Sequence, residues 1–244
     1  MTFSVFNLVI HGYDLKHLIQ EILTRAGQKQ QTWIVTANPE ILLQAKKDSN
    51  YWETLRQADL RSVDGFGLQL VGWLKGVKTS RVTGVSLADE AVRLCTKMNW
   101  SLMLIGGQNG AADKSAWMLR KRHPELKVFA EDGGQVSAEG ITDEAGEASI
   151  IRTQEIEPDV VLVAFGHPKQ EFWINRYRNR FPTAKLLIGV GGTFNFWSGS
   201  IKRAPVWLQK IGLEWLYRLI LEPSRWPRIL NAVFIFPIKA LLNK

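Results

Sequence analysis

The chain has 244 residues, 45% hydrophobic and 22% charged, enough for one large or two small domains whose core needs no metal or disulfide staple. Its one cysteine, Cys95, excludes an intramolecular disulfide and fits a reducing compartment, and its four histidines lack any i, i+4 pairing that signals zinc. The net charge of +8 is uneven: from Lys202 onward eight Lys/Arg meet two Glu, net +6, while the first 201 residues carry net +2. A local basic field of this kind seeks phosphate, nucleic acid or acidic lipid.

The opening "MTFSVFNLVI" has neither a basic leader nor a long apolar run, so no secretory signal is expected. No stretch reaches the 18 or so consecutive apolar residues of a transmembrane helix. In chain order, "TWIVTA" (Thr32–Ala37) reads as a strand followed by a helical "NPEILLQAKKD". "LRSVDG" (Leu60–Gly65) precedes a helical "FGLQLVGWLKG", and "SLMLIGG" (Ser101–Gly107) precedes a helix over Ala111–Arg122. "LKVFAED" (Leu126–Asp132) precedes a helix within Ile141–Ile156, and "DVVLVAFG" (Asp159–Gly166) precedes "HPKQEFWINRYRNRF". "AKLLIGVGG" (Ala184–Gly192) is the last clear strand. Short apolar strands separated by helices predict a Rossmann-like α/β fold, a mostly parallel sheet with helices on both faces. Such sheets bind ligands beyond the carboxyl ends of their strands. After Arg203-Ala204-Pro205 the pattern turns to helix with prolines, so a boundary near residue 200 separates an α/β domain (1–200) from a C-terminal appendage (201–244).

Familiar phosphate signatures are absent: there is no G-K dipeptide for a P-loop, and Phe194 fills the third glycine slot of "GVGGTF". No D-x-D stands at a strand end, so no metal-bridged diphosphate is signalled. Charge on a diphosphate then falls to Arg, backbone N–H groups and helix dipoles.

Several strand ends combine polar residues with glycine. In "VTANPE", Asn38 is an N-cap with Pro39 at the first helical position, and with Thr36 it is equally a hydrogen-bonding group for a polar ligand. Asp64 in "SVDGFG" is either a helix cap or a general base. Arg81 in "RVTGVSL" is either a surface cation or a phosphate clamp. Gly107, Gly191 and Gly192 permit close backbone approach of a ligand or a tight turn. In "AFGHPKQE", Gly166 and a helix N-terminus suit an anion, Gln170 adds a polar contact, and Glu171 in the first turn favours the helix dipole.

Taken together these stretches resemble the WecG/TagA/CpsF group of bacterial glycosyltransferases. The likeness runs through "TAN" (36–38), "DG" (64–65), "RVTG" (81–84), "IGG" (105–107), "GHPKQE" (166–171) and "GVGGTFN" (189–195). It closes with "RAP" (203–205), "GLEWLYRL" (212–219) and "EPSRWPR" (222–228), and so covers nearly the whole chain. The resemblance implies inverting, metal-independent transfer of an N-acetylmannosamine-type or related hexose. The donor is a UDP-sugar and the acceptor an undecaprenyl-diphosphate-linked sugar, at the cytoplasmic face of the bacterial membrane. No cofactor is implied. Carried over by motif, Asp64 is the base, Thr36 and Asn38 line the substrate pocket, and Arg81 and Gln170 contact the donor. Arg218, Arg225 and Arg228 belong to an appendage that approaches the diphosphate. One departure stands at "DGGQVS" (Asp132–Ser137), where many relatives carry an aromatic after the turn; it leaves the sugar's identity open.

In the C-terminal "IGLEWLYRLILEPSRWPRIL", Pro223 predicts a helix to about Leu221, a break, and a short second helix. Trp207, Trp215 and Trp226 with flanking Arg suit an anionic membrane interface, where each basic residue contributes about 1 kcal/mol. Burial of the same residues against the main domain or in a homo-oligomer is the alternative. A basic nucleic-acid-binding or modifying protein is the competing class, but no RNA-binding signature accompanies the charge, and no nucleic-acid partner is expected.

Overall fold

The computed structural model describes residues 1–201, 204, 205, 208, 216, 217, 219 and 226–242. Its centre is an eight-stranded sheet. In chain order the strands are β1 (Thr2–Val5), β2 (Leu8–His11), β3 (Thr32–Ala37), β4 (Leu60–Val63), β5 (Ser101–Gly106), β6 (Lys127–Glu131), β7 (Val160–Ala164) and β8 (Leu186–Gly189). They lie in the order β1-β2-β4-β3-β8-β7-β5-β6. Only β1 and β2 pair antiparallel; every other pairing is parallel.

The central strands β4, β3, β8 and β7 are buried at every position because both faces are covered, and their period of two sorts the mostly apolar side chains. Trp33, Val35, Met103, Ile105, Val161, Val163 and Leu187 face one layer. That layer holds α2 (Pro39–Ala45), α3 (Ser49–Arg56), α4 (Phe66–Leu74) and α8 (Lys169–Tyr177). Ile34, Leu102, Leu104, Val160, Leu162, Leu186 and Ile188 face the other layer. It holds α1 (Leu15–Gly27), α5 (Gly84–Met98), α6 (Ala111–Arg122) and α9 (Thr193–Trp197). Helix α7 (Glu144–Ile156) follows the edge strand β6 and buries Ile150 in the first layer. The six strands read from Thr32 onward and the helices read after the first five of them are all present. The β1–β2 hairpin, α1, α3, α5 and α9 are additions.

The C-terminal appendage is helical over Trp226–Leu230 (α10), passes through a π-turn at Asn231–Ile235 and ends as α11 (Phe236–Leu242). Leu216, Tyr217 and Leu219 are also helical. Phe236 and Ala240 are fully buried in the first core layer, and Phe236 meets Phe6 of the hairpin edge-on at 6.0 Å. Gly67 of α4 lies against this segment so closely that a Cβ there would stand 1.9 Å from the Ala232 carbonyl oxygen. The far end of the appendage is therefore part of the α/β core. No described helix is long and apolar enough to cross a membrane.

Arg61 ties the sheet edge to α3. It is 9% exposed, and its guanidinium donates to the carbonyls of Val9 (2.6 Å), Leu55 (2.8 Å) and Ala58 (2.7 Å). The Arg61 backbone N–H donates to His11 Nδ1 at 3.1 Å, beside the single His11–Ser62 pairing that joins β2 to β4. Burial, helped by the Arg61 charge, holds the His11 pKa at about 4, below its ordinary 6.5. The folded state thus prefers a neutral ring whose Nδ1 accepts, whereas the unfolded chain takes up the proton near pH 6.5. This stabilisation is complete above pH 6.5 and is lost as pH falls towards 4. Allowing for the ring's partial exposure, the loss is about 1–2 kcal/mol. His11→Gln keeps an acceptor and cannot titrate, so its melting temperature should fall less between pH 6.5 and 4. Equal slopes in wild type and variant would refute the assignment.

Candidate active site

β3 and β8 are neighbours, yet β3 leads to α2 in one layer and β8 to α9 in the other. Helices that diverge from adjacent strands leave a crevice beyond the carboxyl ends, the switch point of an open α/β sheet. A cavity of about 400 Å³ occupies it.

Each wall comes from a strand end. Thr36, the penultimate residue of β3, is 6% exposed, and its hydroxyl donates to the Gly189 carbonyl at 3.4 Å. Asn38 caps α2, its side-chain oxygen accepting from Ile41 N at 3.0 Å, with Pro39 next. The capping residue also lines the cavity. Asp64 continues β4 by donating its backbone N–H to the Ala37 carbonyl at 2.7 Å. Gly65, at φ +89°, then turns the chain into α4. Asp64 does not cap α4, which starts without a side-chain cap. Its carboxylate lines the cavity and Oδ2 accepts from the Gly84 N–H at 3.4 Å.

The segment after α4 crosses the end of β4, where Val82 N–H donates to the Val63 carbonyl at 2.8 Å. This crossing delivers Arg81 and Thr83 to the cavity on either side of buried Val82. Thr83 caps α5 through Ser86 N at 3.1 Å. From β7, Gly166 and His167 enter the wall, and His167 Nε2 lies 3.3 Å from Glu40 in the first turn of α2. Gln170 of α8 is 4% exposed and meets Gly191 N–H through its Oε1 at 3.0 Å. Gly191 and Gly192 complete the wall between β8 and α9.

The starts of α2, α4, α5, α8 and α9 thus converge on one cavity. Those of α4, α8 and α9 have no capping side chain. In α8 the Gln170 N–H donates to the Gly166 carbonyl at 2.9 Å, so the positive end of the dipole rather than an open row of N–H groups faces the cavity there. Helix N-termini carry partial positive charge, and Arg81 adds a full one. The arrangement suits a bound anion next to a carboxylate able to accept a proton from a hydroxyl.

Thr36, Asn38, Asp64, Arg81, Gln170, Gly191 and Gly192 all come together, as the sequence led us to expect. Gly107 does not. It sits in the turn after β5, its N–H donating to the Ala164 carbonyl at 3.1 Å, and it is not part of the cavity wall. The "DGGQVS" turn follows β6 at the sheet's edge and likewise contributes no wall. Arg218 and Arg225 lie outside the described residues, and Arg228 is placed only as a backbone position on α10. Glu40, Thr83 and Phe66 were not read as site residues. Glu40 and Thr83 resemble ordinary helix-start residues in sequence, and Phe66 the first apolar residue of a helix.

The family model described as "Glycosyl transferase WecG/TagA/CpsF family" matches residues 3–244. The chain is 34% identical over 205 residues to the N-acetylglucosaminyldiphosphoundecaprenol N-acetyl-beta-D-mannosaminyltransferase of Bacillus subtilis (strain 168), covering 84% of this chain and 77% of that protein. It is 33% identical over 210 residues to the protein of the same description from Staphylococcus aureus (strain MRSA252), covering 85% and 78%.

Proposed function

Because the chain belongs to the WecG/TagA/CpsF family and is a glycosyltransferase, we propose that it moves an N-acetylmannosamine-type sugar from a UDP-sugar to an undecaprenyl-diphosphate-linked N-acetylglucosamine. The place of such a step is teichoic-acid or related cell-surface polysaccharide synthesis. The relatives' names support the transferred sugar and the acceptor. One observation supports the donor and mechanism: Asp64, Arg81 and the starts of five helices surround one cavity at the switch point.

In this mechanism the Asp64 carboxylate takes the proton of the acceptor hydroxyl. The hydroxyl oxygen bonds to the anomeric carbon from the face opposite the diphosphate. The bond from that carbon to the phosphate oxygen breaks, its electron pair leaves with UDP, and the anomeric centre inverts. Arg81, the N–H groups at the start of α4 and the positive ends of the converging helix dipoles stabilise charge on the leaving diphosphate, so no metal is required. Arg218, Arg225 and Arg228 add positive charge from the appendage.

The appendage also serves as the membrane contact. Trp226, Leu230, Phe234, Ile238 and Leu242, each four residues from the next, are 41–78% exposed. One helical side can therefore enter a headgroup layer, holding the enzyme peripherally on the inner face of the membrane. This apolar side favours a lipid partner over nucleic acid, which calls for a basic face with exposed stacking platforms. Self-association covering the same side is the state expected away from lipid.

Three measurements test the proposal. UDP-N-acetylmannosamine should raise the melting temperature more than its uronate, UDP-glucose or UDP-N-acetylglucosamine, and should release UDP with a short-chain polyprenyl-diphosphate N-acetylglucosamine acceptor. No shift and no UDP release with any donor would overturn the reading. Asp64→Asn keeps the shape and removes the basicity, so turnover should fall by about 100-fold or more while donor affinity is kept. Near-normal turnover would reassign the base. Phe234→Asp combined with Ile238→Asp should weaken flotation with anionic vesicles at least about tenfold, since two buried apolar side chains contribute several kcal/mol. Unchanged flotation would remove this helix from the interface.

A further inference from the structure

Glu171 sits next to the cavity yet does not touch it. It is 1% exposed, inside a core of aromatic and aliphatic side chains, and no ion pair among the described residues balances it. A first-turn glutamate that serves only the helix dipole belongs in solvent. A buried carboxylate is costly unless it is hydrogen-bonded, and an apolar residue fills such a position more cheaply.

Its two oxygens are both engaged. Oε2 accepts from the hydroxyl of Tyr51, itself fully buried, at 3.0 Å. Oε1 accepts from Gln170 Nε2 at 2.7 Å. The other end of the Gln170 amide, Oε1, accepts from Gly191 N–H at 3.0 Å. Gly189 leaves room for the amide: a Cβ there would stand 2.7 Å from Nε2. Reversing the amide would set its NH₂ against the Gly191 N–H, a backbone donor that can only donate, so Gly191 selects one orientation. Burial pushes the Tyr51 phenol well above its ordinary pKa, reinforced by the Glu171 charge, so it stays a donor.

We propose that Glu171 is a positioning residue. Held by Tyr51, it locks the Gln170 amide so that its oxygen pins the Gly191 N–H and sets the Gly191–Gly192 wall of the cavity. The effect on substrate rests on the reading of this cavity as the UDP-sugar site; the effect on the wall does not. Thr36 grips the Gly189 carbonyl from the β3 side while Gln170 grips Gly191 from the α8 side. The end of β8 is thus held on both flanks, and only the grip from α8 runs through Glu171.

The test uses the full chain labelled with ¹⁵N-glycine and compares wild type, Glu171→Leu, Glu171→Gln, Gln170→Ala and the Gln170→Ala/Glu171→Leu double variant. Glu171→Leu should speed hydrogen exchange at Gly191 about tenfold, the equivalent of one lost hydrogen bond. It should raise the KM for the UDP-sugar by a similar factor and change kcat by less than about twofold, as expected for lost uniform binding. Glu171→Gln retains a carbonyl acceptor for Gln170 and should restore both values. In the Gln170→Ala background Glu171→Leu should add nothing, because the two act through one contact.

Unchanged Gly191 exchange in Glu171→Leu, or a full additional effect on the Gln170→Ala background, would overturn the proposal. If Glu171→Leu fails to fold, Tyr51→Phe replaces it. A rise in Gly191 exchange of about threefold is then expected, and no rise is the overturning result. Failure of the wild type to use any UDP-sugar would sink the donor assignment, while Gly191 exchange would still decide the positioning role.

Discussion

The geometry of the site depends on the junction between β3 and β8. The strands are parallel and hydrogen-bonded from Thr32–Leu186 to Ile34–Ile188, and then their chains part to opposite layers. A sheet buried on both faces requires this somewhere, because each layer needs its own helices. Backbone cannot fill the space between two diverging connections. The Thr36 hydroxyl and the Gly189 carbonyl make a last contact before the strands separate, and beyond them lies the cavity. The same junction explains why the polar residues gather. β4, β3, β8 and β7 stand side by side, so residues distant in sequence, from Thr36 to Gly192, end on one crest.

The two ends of the sheet treat charge differently. At the amino ends, acidic side chains are used up in structure. Asp59 accepts from Trp33 N–H at 2.8 Å and pairs with Arg25, and Asp159 accepts from Ser101 N–H at 2.8 Å and pairs with Lys185. At the carboxyl ends, Asp64 and Arg81 face an open cavity into which five helices point their N-termini. Field from aligned peptide dipoles falls off within about a turn, so it acts only where the starts are close to the ligand. A parallel sheet supplies that closeness without any dedicated phosphate loop. This is how a chain with no P-loop and no complete dinucleotide fingerprint still gathers dipole ends and a cation around one cavity.

What was legible in the sequence follows from the same physics. β3, β5, β7 and β8 are apolar runs because they are buried on both faces, and the turn residues Asn38, Asp64 and Gly191 mark the carboxyl ends of β3, β4 and β8. The β1–β2 hairpin was not legible. Each strand has four residues, half of them exposed or nearly so, and its turn places Phe6 and Asn7 at positive φ without a glycine to announce it. α3 was hidden because Asp48, which resembles the polar end of the preceding helix, is the cap of the next. At the site, the sequence did not reveal what Gln170 and Glu171 bond to. Gln170 reads as polar and available, but its amide is bound at both ends. Glu171 reads as a surface helix charge, yet it is one of the most buried polar groups among the described residues. Tyr51 gave no signal, since its link to Glu171 spans 120 residues. For Gly107 the sequence allowed ligand approach or a tight turn, and the structure places it in the turn after β5, outside the cavity wall.

The C-terminal helix bears on the site through shared walls. A Cβ on Gly67 would meet the Ala232 carbonyl at 1.9 Å and Pro39 at 3.3 Å, so the π-turn, α4 and α2 touch at one point. Pro39 follows Asn38, and Gly67 closes the Asp64-Gly65-Phe66 stretch that lines the cavity. Phe236 and Ala240, fully buried one and two turns later, keep this contact from sliding. The helix that carries the outward apolar stripe is therefore fixed to the two elements that present Asn38 and Asp64. Any surface that the stripe engaged would be held at a set height and angle to the cavity, and in the proposed reaction an acceptor anchored there would reach Asp64 from a constrained direction. Orientation of this kind lowers the entropic cost of bringing the two substrates together, and it requires no movement of the sheet.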